Sequence, residues 1–162
     1  LVNNAGVATR ANLLTGDLDT IRLELDTHVF GTLGVIRAFA PVLASNGGGA
    51  IVNILSVLSW FASGGSSAYA VAKAAEWNMT NALRIELAGQ KTLVQGVHLG
   101  AADTDMMAGY DVPKIDPAEV ARAGLDGVES GAIEVLVDDA SRYVKASLAA
   151  DPARFYAQLP AN

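Results

Sequence analysis

Cysteine is absent from the sequence. That excludes disulfide staples, thiolate nucleophiles and cysteine-ligated metals; with no signal-peptide pattern in the chain either, a cytoplasmic setting is the expectation. Histidine is nearly absent too, with two copies and no His-x-x-x-His or Glu-x-x-His spacing, so no metal site is expected. Charge is scarce, at 17% of residues against 51% hydrophobic, and the net charge is −6 with no Lys/Arg cluster. This balance argues against nucleic acid or an anionic membrane surface as a partner. No uninterrupted apolar run of about 18 residues is present to span a bilayer. What remains is a chain of 162 residues, too apolar for disorder and long enough to bury the core of one domain.

The apolar residues that are present alternate between short runs and longer helical patterns. Leu1 to Gly6 (LVNNAG) reads as a strand end and turn, Ala50 to Leu55 (AIVNIL) and Leu93 to Leu99 (LVQGVHL) as buried strands, and Glu134 to Val137 (EVLV) as a fourth. Val29, Leu33, Ile36, Ala40 and Leu43 recur at helical spacing and stop at Asn46-Gly47-Gly48-Gly49. A second helix is predicted from about Ser67 to Leu87, and a third from Asp116, a good N-cap followed by Pro117, to near Gly131. The tail from Ala140 reads as helical at first and loop-like around Asp151-Pro152 and Pro160. Strands and helices in this alternation imply right-handed crossovers and a parallel sheet covered on both faces.

Within the second helix the stretch SSAYAVAK places Tyr69 and Lys73 four residues apart, on one helical face. A free tyrosine titrates near ~10, so proton exchange near neutral pH requires its anion to be favoured, and an ammonium one turn away supplies that stabilisation. Taken alone this is a weak signal, since a solvated helix face carries such pairs by chance. Ser56 stands thirteen residues upstream of Tyr69 and directly after the strand ending at Leu55, where side chains of open α/β sheets project into the ligand crevice. A serine there also serves as a turn or helix cap. Trp60, Phe61 and Trp77 read as core or interface aromatics.

In combination these segments resemble the short-chain dehydrogenase/reductase family. The resemblance lies in Asn3-Asn4-Ala5-Gly6 after a strand, Ile51 to Ser56 followed by Tyr69-Ala70-Val71-Ala72-Lys73, and Val97-His98-Leu99-Gly100 followed by Thr104. It implies an α/β fold, a Rossmann-like parallel sheet with helices on both faces, here the C-terminal portion of a doubly wound domain that forms a single partial catalytic domain over residues 1–162. It further implies hydride transfer between NAD or NADP and an alcohol or ketone. The serine role falls on Ser56, which orients the substrate. Tyr69 passes the proton, and Lys73 lowers the tyrosine pKa while holding the nicotinamide ribose. Asn3, Ala5, Gly6, Tyr69, Lys73, Gly100 and Thr104 are the implied cofactor contacts. Association as a homodimer or homotetramer is implied through the two long helices, on which Val29, Phe30, Leu33, Ile36 and Phe39, and Val71, Trp77, Met79, Leu83 and Ile85, supply apolar residues on more than one face.

The chain departs from the family pattern in three places. The Gly-rich turn that receives a pyrophosphate, and the residue that reads the adenosine ribose, are not in the sequence. They are expected upstream of Leu1, in a portion on the order of 70 to 90 residues at about 30 per βαβ repeat. His28 stands in HVFG where relatives often have asparagine, and Leu99 replaces the usual proline before Gly100. A rival expectation follows from the first departure: a truncated, non-catalytic domain that keeps the fold and the oligomer interface. A hydrolase triad of Ser56 with His28 or His98 and Asp103 lacks the Gly-x-Ser-x-Gly elbow. Substrate identity and the choice between NAD and NADP are not encoded in these residues; the segment Asp105 to Pro113, with two methionines, suggests an adaptable apolar pocket wall.

Overall fold

The computed structural model describes residues 1–158. Four strands form one sheet in the order β1-β2-β3-β4, all parallel: β1 Val2–Asn3, β2 Gly49–Ile54, β3 Thr92–His98 and β4 Glu134–Leu136. Each follows the last by a helical crossover, as the alternation of short apolar runs and helical patterns predicted. In β2 successive side chains enter opposite layers. Ile51 packs with Val94, Ile36 and Leu83 on one face, and Val52 with Val97, Leu99 and Val120 on the other. Both faces are therefore covered, which explains why the strand reads as an unbroken apolar run. Asn53 is the polar exception inside β2; it accepts from Asn3 Nδ2 at 2.8 Å and donates to Thr80 Oγ1 at 2.9 Å, tying β1 to the helix above.

The helices are α1 Leu18–Leu25, α2 Thr32–Ser45, α3 Ser67–Glu86, α4 Pro117–Ser130, α5 Asp139–Ser147 and α6 Pro152–Tyr156. α4 begins as expected, with the Asp116 carboxylate accepting from Ala118 N–H and Pro117 in the first turn, and ends at Gly131 with φ 73°. The first helix starts earlier than the sequence suggested. Asp17 caps it by accepting from Thr20 N–H at 2.9 Å, and α1 runs into α2 through a π-helical turn at Asp26–Gly31. The wider turn shifts the phase of the apolar pattern, so Leu18, Ile21 and Leu25 fall out of step with Leu33 and Ile36. In the tail α5 was expected, but Asp151-Pro152 is a helix start rather than a loop: Asp151 caps Ala153 N–H and opens α6. The expectation at Pro160 lies outside the described residues.

The continuous helix Leu18–Ser45 is long and apolar enough, by length and composition, to cross a membrane. In the fold it covers the sheet, with Ile36 in the core and Glu24 and His28 turned inward. Its outer side carries Phe30, Val35, Phe39 and Val42 in solvent, and α3 adds Val71 and Ile85. Of the apolar residues expected on more than one face of the two helices, Ile36 and Leu83 are the ones that enter the core.

Candidate active site

Because the strands are parallel, the segments that follow β1, β2 and β3 emerge along one edge of the sheet, the edge at which open α/β sheets bind ligands. Asn4 to Gly6, Ser56 and Gly100 to Thr104 all lie there. The side chains on α3 complete the crevice, since Tyr69 and Lys73 occupy its first two turns.

Ser56 is buried, and its reading as a turn cap holds. Its Oγ accepts from Leu58 N–H at 3.1 Å and so caps a single 3-10 turn at Val57–Ser59, which leaves the hydroxyl hydrogen free to donate. Its carbonyl faces His98 Nδ1 at 3.2 Å. His98 is fully buried, stacked on Trp60 with ring centroids 3.9 Å apart, and burial drives its pKa down to about 4. The ring is thus a neutral donor that fixes the backbone of Ser56 from below. Trp60 and Trp77 are structural aromatics, as expected, with the Lys145 ammonium 4.9 Å from the Trp60 ring centre.

Tyr69 lies beside Ser56, and the two influence each other. Burial pushes the phenol above its ordinary value, the Ser56 hydroxyl works in the opposite direction, and Glu76 and Glu24 add to the rise. Lys73 was expected to offset this. In the folded chain its ammonium is instead bound to Glu76 Oε2 at 2.7 Å and to the Ile54 carbonyl at 2.7 Å, and it stands 5.8 Å from the centre of the Tyr69 ring. Burial lowers the pKa of Lys73 and Glu76 pulls it back up. The depression of the Tyr69 pKa anticipated from the Tyr-x-x-x-Lys spacing is therefore not present in these 158 residues: the carboxylate that holds the cation also opposes the phenolate.

Two carboxylates at the site escaped sequence reasoning. Glu24 and Glu76 are both buried, and each pairs along its own helix: Glu24 with His28 at i,i+4 and Glu76 with Lys73 at i,i+3. Those spacings were the available signal. Glu24 Oε1 accepts from Thr9 N–H at 2.6 Å and Thr9 Oγ1 at 2.8 Å. Burial pushes the Glu24 carboxyl up, but the bonds from His28 and Thr9 outweigh it and hold the group below the ordinary glutamate value. His28 sits edge-on to Tyr69, with centroids 5.2 Å apart.

The residues implied as cofactor contacts divide. Gly6 passes so close to His28 that a Cβ would lie 2.8 Å from its Cε1, so this position accepts only glycine without displacement of the ring. Asn3 is buried and its side chain is used on Asn53. The Gly100 amide donates to Asp138 Oδ2 at 2.7 Å. Ala5 and Thr104 are exposed at the crevice edge. Across the same edge the Arg10 guanidinium stands 4.5 Å from the Tyr110 ring centre, joining the segment after β1 to the methionine-bearing segment after β3. An open edge of this kind, with a cation, a phenol and a free hydroxyl converging on it, fits the nicotinamide end of a dinucleotide; no Gly-x-x-x-Gly-x-Gly turn for the pyrophosphate occurs in the sequence.

A family model described as short chain dehydrogenase matches residues 1–113. The chain belongs to the short-chain dehydrogenase family. An uncharacterized oxidoreductase of Staphylococcus saprophyticus is 30% identical over 128 residues, which make up 77% of this chain and 55% of that protein. The chain thus spans little more than half the length of that curated relative. Among solved structures, a short chain dehydrogenase from Burkholderia cenocepacia in complex with NADP superposes with a TM-score of 0.93 at 37% identity, over 100% of this chain and 68% of that one. A short-chain dehydrogenase from Sphingobium yanoikuyae in complex with NADPH gives 0.77 at 26% identity, over 99% and 65%.

Proposed function

We propose that the chain carries the proton-transfer half of a nicotinamide-dependent oxidoreductase acting on an alcohol or ketone. The observation that carries this reading is the meeting of Ser56, Tyr69 and Lys73 at the carboxyl edge of a parallel sheet, with Ser56 near enough to the phenol to oppose the rise that burial gives its pKa. The Burkholderia and Sphingobium relatives, crystallised with NADP and NADPH, support a cofactor of the same class, NAD or NADP. Asn3, Ala5, Gly6, Tyr69, Lys73, Gly100 and Thr104 would border its nicotinamide end, and the cofactor would supply the hydride. The protein's own part is placement and the proton. Ser56, capped onto Leu58 N–H through its lone pair, presents its hydrogen to the substrate oxygen. Tyr69 gives a proton to that oxygen in reduction and takes it back in alcohol oxidation.

The test of the catalytic reading is Tyr69→Phe in an enzyme whose dinucleotide site is complete. Turnover falls by about 10² or more with the fold unchanged; near-normal turnover removes Tyr69 from the mechanism.

A further inference from the structure

In the segment that follows β1, Arg10 holds a left-handed backbone with φ 60°, which among the described residues it shares with one other residue that is not glycine, Lys91. Such a conformation is costly for an L side chain and persists only where the surroundings impose it. Here they do so on both sides. Thr9 is bound through its N–H and its Oγ1 to Glu24 Oε1 at 2.6 and 2.8 Å, and the Ala11 carbonyl accepts from Ala68 N–H at 3.2 Å. Ala68 immediately precedes Tyr69 on α3. Arg10 is thus pinned between a buried carboxylate and the first turn of the helix that carries the phenol.

From that anchor the side chain reaches the segment after β3. Its guanidinium carbon lies over the Tyr110 ring, 4.5 Å from the centre, so a π face rather than a counter-ion holds the cation. Among the described residues Arg10 enters no ion pair. The cations on the facing elements are committed: Lys73 on α3 to Glu76 and the Ile54 carbonyl, and Lys114 after β3 to Asp103 at 3.9 Å. Stacking engages one face of a guanidinium and leaves the N–H groups in its plane, the fork that matches a carboxylate with two parallel hydrogen bonds. One crevice therefore offers a proton on Tyr69 and a fixed, uncommitted cation on Arg10.

Resting on the catalytic reading above, we propose that Arg10 is a specificity-determining residue and that the substrate is an oxo acid, or the corresponding hydroxy acid. Its carboxylate docks on the Arg10 guanidinium while its carbonyl or hydroxyl oxygen meets Ser56 and Tyr69. The carboxylate takes no part in the bond changes. In reduction a hydride from the cofactor adds to the carbonyl carbon, the Tyr69 proton goes to the oxygen, and the acid group remains an anion throughout. What Arg10 contributes is affinity and the orientation of the reacting carbon. Tyr110 is a positioning residue, acting through its ring and not its hydroxyl.

The probes are 3-oxobutanoate, 4-oxopentanoate, 5-oxohexanoate and 6-oxoheptanoate, a series of increasing spacing, each compared with its methyl ester. In an enzyme whose dinucleotide site is complete, kcat/KM for at least one acid should exceed that of its ester by about 10- to 100-fold. Arg10→Gln should bring this ratio to about one, chiefly through a higher KM for the acid, and Arg10→Lys should keep part of it. Tyr110→Leu should lower the ratio and Tyr110→Phe should retain it. A ratio near one at every spacing overturns the proposal, as does a ratio that survives Arg10→Gln. A higher KM for NADH or NADPH in Arg10→Gln, with the ratio unmoved, assigns the guanidinium to a phosphate of the dinucleotide and overturns it as well. Binding is read apart from turnover by following the Arg10 Nε–H resonance of isotope-labelled protein during titration with each acid and ester. At least one acid should shift it and no ester should, in the parent protein and in Tyr69→Phe alike. If Tyr69→Phe retains turnover the catalytic reading falls, while this resonance still decides whether Arg10 takes a carboxylate; a resonance that no acid shifts overturns the proposal whatever the turnover.

Discussion

Lys73 Nζ is 2.7 Å from Glu76 Oε2, one turn along the same helix, and both groups are removed from solvent. The ion pair couples the stability of the site to its chemistry. Breaking a buried pair from one side leaves an uncompensated charge, whereas replacing both partners with apolar side chains of similar size is often neutral or stabilising.

Glu76→Leu should therefore destabilise the fold by about 3–5 kcal/mol, and Lys73→Met together with Glu76→Leu should recover most of that loss. Urea denaturation of the three proteins is the measurement. Equal stabilities for the single and double variants would mean that the pair contributes nothing to the fold.

How far the sequence anticipated this site follows from the range of each interaction. The strands were legible because β2 and β3 are buried on both faces and read as apolar runs, and α4 because Asp116, Pro117 and Gly131 mark its ends by local chemistry. Ser56, Tyr69 and Lys73 were legible as a spacing on known elements. The start of α1 was not, because the π turn breaks the periodicity on which a helix is recognised. The true partner of Lys73 was missed for a different reason. Tyr69 and Glu76 both lie within one turn of it, and only the packed structure, with the Ile54 carbonyl on the same ammonium, decides which one the Nζ meets. His98 resembled a strand residue like any other until Trp60, 38 positions earlier in the sequence, closed over it.

His98 gives the fold an acid sensitivity. Its pKa is about 4 in the native protein, mainly through burial, against 6.5 for the free group. Below 6.5 the unfolded chain binds a proton that the native chain refuses, so stability falls as pH drops from about 6.5 to about 4 and then levels for this group. The full loss is on the order of 3 kcal/mol. Denaturant midpoints at pH 7, 5.5 and 4 should show this decline, and His98→Gln should flatten it. An unchanged slope in that variant would place the sensitivity elsewhere, with Glu24, whose lowered pKa also costs stability in acid, as the next group to test.

The 162-residue chain should bind NADH or NADPH weakly or not at all. Its residues at the crevice border the nicotinamide end, and the backbone amides that would hold the pyrophosphate at a helix N-terminus have no counterpart in the sequence. Calorimetric titration with each dinucleotide is the check. Low-micromolar affinity for either would show that the site is complete without a Gly-rich turn and would remove the non-catalytic reading.

The two long helices carry more apolar surface than the sheet uses. Phe30 is 63% exposed and Phe39 47% on one, and Ile85 80% and Val71 44% on the other, although a helix that only covers a sheet needs a single apolar stripe. Leucine and isoleucine left singly in solvent are ordinary, but a set of such residues running along two neighbouring helices marks a contact surface. A second copy of the chain is the occupant proposed here, since a two-fold axis would set each helix against its own counterpart and cover both stripes at once. Phe39→Asp combined with Ile85→Lys should then convert a dimer or tetramer into monomers while leaving the buried cores of Ile36, Ile51, Leu83 and Val94 intact. Light scattering across micromolar concentrations reads the outcome directly. A wild-type chain that is monomeric throughout that range would assign the exposed stripes to some other partner.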